Sequence, residues 1–95
     1  MATSNATIET IEGARYLRRL CKHWSHKFAV SFDDTHGEVP FSDEASLTLS
    51  ATDTALHLQL THVDADALPQ LQQVVVDHLQ RFAGDSVLAI TWTPG

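Results

Sequence analysis

The stretch ASLTLSATDTALHLQLT, residues 45–61, decides the fold. Its two halves alternate apolar and polar residues, the period of a strand with one buried face. Leu47, Leu49, Leu56, Leu58 and Leu60 fall on one face. Ser46, Thr48, Ser50, His57, Gln59 and Thr61 fall on the other. The TDT between the halves (52–54) reads as the turn of a β-hairpin. A sheet with a leucine face needs a cover, and in a short chain helices with apolar stripes supply it.

Working outward, the sequence supplies two such helices and more strands. ATIETI (6–11) is rich in β-branched residues and reads as a first strand. Residues 13–27 place Leu17, Leu20, Cys21, Trp24 and Phe28 at helical spacing. AVSFD (29–33) reads as a strand, DTHGE as a turn with Gly37 in a left-handed conformation, and EVPF as a short strand. Pro40 marks that strand as an edge or a bulge. DADALPQLQQVVVDHLQRFAG (64–84) reads as the second helix. Asp64 and Asp66 are its capping candidates, and Asp66 suits Pro69 in the first turn better. Residues 86–92 read as a closing strand, with Leu88, Ile90 and Trp92 on the leucine side and Thr91 on the polar side.

The order β-α-β-β-β-β-α-β predicts one α+β domain over residues 1–95. It is a two-layer sandwich, with both helices on one face of a mainly antiparallel sheet. The opening strand–helix–strand predicts a right-handed crossover where its two strands share the sheet. The polar, nearly uncharged sheet face is expected either to meet solvent or to pair with a second subunit in a homodimer.

Charge is distributed unevenly. The formal net charge is −6, yet RYLRRLCKHWSHKF (15–28) holds five of the six Lys and Arg residues and no acid. An acidic chain disfavours nucleic acid as a partner. The opening residues lack a signal peptide's basic run and apolar core, and no apolar run reaches membrane-span length. A cytoplasmic setting is therefore expected, and one cysteine in the chain suits it.

On a helical wheel Arg15, Arg19, Lys22, His23 and His26 lie opposite Leu17 and Trp24, with Arg18 at the boundary. A solvated face is the plain reading of such a run. Cations three and four residues apart repel by about 0.2–0.5 kcal/mol per pair, and residues 13–27 contain no acid to relieve them. Arginines beside imidazoles suit an anion such as a carboxylate, phosphate or catecholate. The same positive field opposes a bare divalent ion. Cys21 points away from His23, into the apolar stripe, and reads as a small core residue. His23 and His26 are then the only metal candidates on this helix.

The remaining histidines add little. His36 sits in an acidic turn expected near the start of the first helix, about 20 Å from His26. His57 lies on the polar face, and His62 near the end of the same strand. His78 falls within the stripe of Leu71, Val75, Leu79 and Phe82, where a hydrogen-bonded core histidine is the ordinary case. No phosphate loop, nucleophile elbow or zinc-protease motif occurs, and no cofactor is indicated.

The block LCKHWSHK (20–27), with FDDTHGEVPF and DHLQRFA, resembles a small bacterial family, domain of unknown function 2218. The resemblance covers nearly the whole chain, which departs from the family's more charged connection at AGDSVLAITW. It implies proximity to siderophore-interacting, flavin-dependent ferric reductases, beside or fused to which members are encoded. The resulting expectation is a non-catalytic accessory domain in iron–siderophore handling. Arg15, Arg19, Lys22, His23 and His26 would meet an anionic ferric chelate or the reductase. The rival expectations are a self-associating module without a small ligand, and a metal-binding protein using His23 and His26.

Overall fold

The computed structural model describes residues 2–84, 88 and 90–94. Within them the hairpin forms as read. Strand β4 (Ala45–Ala51) pairs antiparallel with β5 (Ala55–His62), Leu47 opposite Leu60 and Leu49 opposite Leu58. Thr52 closes the turn: its hydroxyl oxygen accepts from the Ala55 amide at 3.1 Å. All five hairpin leucines are buried. Each contributes roughly 1.5–3 kcal/mol, against about 0.2–1 kcal/mol for a cross-strand polar pair. The leucine face therefore sets the register, because a one-residue slip of either strand would turn that strand's leucines, two on β4 or three on β5, into water.

Around the hairpin lie β1 (Ala2–Glu9), α1 (Gly13–Trp24), β2 (Ser31–Phe32), β3 (His36–Pro40), α2 (Leu68–Ala83) and β6 (Trp92–Pro94). The described strands form one six-stranded sheet, ordered β2-β3-β4-β5-β1-β6, and every neighbouring pair is antiparallel. β1 and β2 share the sheet but are separated by β5, β4 and β3. Both helices contribute to the same core as the leucine face: Leu17, Leu20, Cys21 and Trp24 from α1, Leu68, Val75 and Leu79 from α2. This is the expected α+β two-layer architecture. On the other face, Thr3 meets Thr61 at 3.5 Å and the Thr7 hydroxyl meets His57 Nδ1 at 3.1 Å.

Several local expectations change. Helix α1 stops at Trp24 rather than Lys27; the Ser25 hydroxyl donates to the Lys22 carbonyl at 2.7 Å, and the Lys27 and Phe28 amides both turn back to the Trp24 carbonyl. The expected strand 29–33 shrinks to Ser31–Phe32. Of the closing strand, Ser86, Val87 and Ala89 lie outside the described residues. Trp92–Pro94 pairs with β1, and Leu88, Ile90 and Trp92 pack against the core. Asp64, not Asp66, is the cap. It caps a 3₁₀ turn (Ala65–Ala67) by accepting from the Asp66 amide at 2.9 Å, and α2 follows with Pro69 in its first turn.

Gly37 is not left-handed; among the described residues only Gly84 has positive φ. Gly37 sits within β3 for a steric reason instead: a Cβ there would lie 2.7 Å from Cys21 Sγ. Gly37 is thus the point where β3 presses against the middle of α1. Pro40 behaves as an edge residue, because β2 pairs only with Gly37 and Glu38 and leaves β3 single-sided beyond them.

Candidate functional site

The acidic turn settles first. Asp33 accepts from the Thr35 and His36 amides at 2.9 and 2.8 Å, and these bonds hold its carboxyl below the ordinary carboxylate range. Asp34 reaches Arg18 at 4.0 Å, and Gly37 packs near Leu17 and Cys21. The turn therefore meets the middle of α1, not its start, because β3 runs under the helix centre. His36 Nε2 lies 3.8 Å from Glu38. Burial pushes the Cys21 thiol up to about 11, which removes it from thiolate chemistry at neutral pH. Among the described residues no group of three or more His, Cys, Asp or Glu side chains is placed to hold a metal.

The cationic face of α1 divides between two recesses. On one flank Arg15, Arg18, Arg19 and Lys22, with Ser25, line a groove of about 620 Å³ over Phe32. The sheet register explains the aromatic floor. Phe32 lies opposite Gly37, whose missing Cβ would point at Cys21, so Phe32 stands on the helix side of the edge strand. It remains 41% exposed. Glu12, immediately before the helix, takes a 2.9 Å bond from Arg15 and a 3.3 Å bond from the Tyr16 hydroxyl. Burial, then the Glu12 carboxylate, raises the Tyr16 phenol. Arg15 thus has an acid one turn below it, outside the acid-free run. Among the described residues neither Arg19 nor Lys22 forms an ion pair.

His23 and His26 do not join that groove. His23 sits on the flank of α1 that faces α2, 5.2 Å from the His78 ring and 6.1 Å from Phe82 between centroids. His26 and Lys27 follow it around the helix end. Together with His78 they border a second recess of about 500 Å³. Its walls are Trp24, Phe28 and Phe41, with Phe41 edge-on to both neighbours at 4.9 and 5.2 Å, and aliphatic Leu71 and Val74. His78 is hydrogen-bonded, as expected: its Nδ1 lies 2.7 Å from the Val74 carbonyl. It is only half-buried, however, because it closes the gap between the helices rather than entering the core.

Comparison with known proteins matches residues 5–93 to a family described as an uncharacterized protein conserved in bacteria, DUF2218. The chain belongs to this family. No curated protein matches it. Among solved structures, the NMR structure of PA4090 from Pseudomonas aeruginosa is similar, with 40% identity and a TM-score of 0.82. The similarity covers 99% of this chain and 97% of that one. This DUF2218 domain therefore has a relative of the same size and fold. No helix among its described residues is long and apolar enough to cross a membrane.

Reading the sequence of this DUF2218 domain missed Arg18, Ser25 and Phe32 in the groove, and His78, Phe28 and Phe41 in the recess. The helical wheel already placed Arg18 within a turn of both Arg15 and Lys22. Phe32 and Phe41 carried no periodic signal; only strand register and chain reversal bring them to the helix.

Proposed function

We propose that this DUF2218 domain is a non-catalytic binding module that offers the Arg15–Arg18–Arg19–Lys22 groove to an anionic ligand with aromatic character. One observation carries the reading. Four cationic side chains converge over an exposed phenylalanine, and two of them have no acid partner among the described residues. The guanidinium forks suit chelating oxygens, and Phe32 offers a ring face for stacking. A ferric catecholate combines these features. The resemblance-based association with siderophore-interacting ferric reductases supports iron as its metal, and such a reductase is the natural recipient. His23 and His26 are not part of this contact.

The test is an amide NMR titration with a gallium-loaded catecholate siderophore, gallium replacing ferric iron without paramagnetic broadening. Saturable shifts at Arg15–Ser25 and Phe32 are expected. The Arg19→Ala, Lys22→Ala double variant should weaken binding roughly tenfold and flatten its dependence on salt. Unchanged affinity in that variant refutes the assignment.

A further inference from the structure

The imidazole-bordered recess between the end of α1 and α2 has properties that the cationic groove lacks. Its interior is a three-ring aromatic wall formed by Trp24, Phe41 and Phe28. Its polar border is basic only: Lys27 and the imidazoles of His23, His26 and His78, with no carboxylate among the described lining residues. Lys27 forms no ion pair among those residues. A volume of about 500 Å³ falls in the range of small-ligand sites.

His78 adds direction. A carbonyl can only accept, so the 2.7 Å contact with Val74 requires the proton on Nδ1. In the neutral ring this leaves the Nε2 lone pair free of that bond, ready to accept from a hydroxyl. The His78 ring also lies 5.1 Å from Trp24, which places the imidazole beside the aromatic wall.

We infer that this recess is a second binding site, for a small hydroxyaromatic carboxylate. The ring lies against Trp24 and Phe41, the phenolic hydroxyl donates to His78 Nε2, and the carboxylate meets Lys27. The site is independent of the groove and of the chelate reading, because it shares no side chain with Arg15, Arg19 or Lys22.

The probe is 4-hydroxybenzoate, titrated into the labelled full chain, with benzoate, cyclohexanecarboxylate and benzylamine as comparisons. Saturable shifts centred on His23, Trp24, Phe41 and His78 are expected, with Kd of about 1 mM or tighter for a ligand of this size. His78→Phe keeps the ring and removes the acceptor. It should weaken 4-hydroxybenzoate about fivefold and leave benzoate within twofold. Lys27→Met, at an exposed position, should weaken both acids by a similar factor, and Arg19→Ala with Lys22→Ala should change neither. No saturation by about 10 mM overturns the inference. So do equal binding of benzylamine, indifference to both His78→Phe and Lys27→Met, and shifts confined to the Arg15–Ser25 groove. Failure of the gallium chelate to bind the groove would leave these expectations standing.

Discussion

The contact between Gly37 and Cys21 is open to a decisive perturbation. A Cβ added at Gly37 would meet Cys21 Sγ at 2.7 Å, closer than two such atoms tolerate. The next neighbours, Phe32 Cβ at 3.4 Å and Leu17 Cδ2 at 3.5 Å, are ordinary contacts. Cys21 is fully buried, so its sulfur has little room to move. Gly37→Ala should therefore cost about 1–3 kcal/mol through overpacking. The gain from restricting the unfolded chain, about 0.4–1 kcal/mol, offsets part of that. Cys21→Ala alone should cost about 1 kcal/mol for one deleted core atom. It also removes the obstructing sulfur. In the Cys21→Ala background, Gly37→Ala should then cost nothing or stabilise slightly. The cycle predicts a coupling of about 1–3 kcal/mol, read by urea denaturation with fluorescence of Trp24 and Trp92. Additivity within about 0.5 kcal/mol would refute the claim that close approach of β3 to α1 is why this position is glycine.

Further expectations follow from single contacts. Buried Ser4 on β1 accepts a 2.7 Å bond from Gln72 on α2, so Ser4→Ala should destabilise by about 1 kcal/mol and lower Tm by several degrees. Asp64→Ala should cost about 0.5–2 kcal/mol by uncapping the 3₁₀ turn, whereas Asp66→Ala should cost less, a contrast that thermal melts resolve. Asp33 ionises more readily folded than unfolded, so its contribution is present above its ordinary value of 3.8 and disappears as pH falls through the lower folded value. Asp33→Asn should flatten the acid limb of the stability–pH curve, and an unchanged limb would count against the turn's role. Finally, the polar sheet face exposes Ser46, His57 and Gln59 and carries its own cross-strand bonds. Sedimentation across concentrations is expected to give a monomer mass; a concentration-dependent dimer would favour the self-associating module.

The two candidate sites differ in how visible they were. The cationic run is local. Arg15, Arg19 and Lys22 lie within two turns, so helical spacing alone puts them on one flank. The wheel groups His23 and His26 with these cations, whereas the structure places them along the second recess, because a wheel shows angle but not neighbours. His23 lies at the edge of the buried stripe, and α2 packs beside that edge, so its ring meets His78 and Phe82. The Asp66 and Gly37 readings failed for a related reason. The Gly37 reading rested on residue type at a turn and the Asp66 reading on a regular helix start around Pro69, whereas the cap depended on the 3₁₀ geometry and the glycine on a distant sulfur.

By itself, then, the amino-acid sequence determined the elements and their faces. The leucine alternation of residues 45–61 and the apolar stripes of both helices depend on periods of two and 3.6 residues, which are local properties of the backbone. They were enough to require two layers. Tertiary structure alone decided the order β2-β3-β4-β5-β1-β6, the seating of β3 beneath the centre of α1, and the separation of the groove from the imidazole recess. Those outcomes depend on contacts between residues far apart in the chain. Steric fit selects among them, as at Gly37 and Cys21, and periodicity carries no record of steric fit.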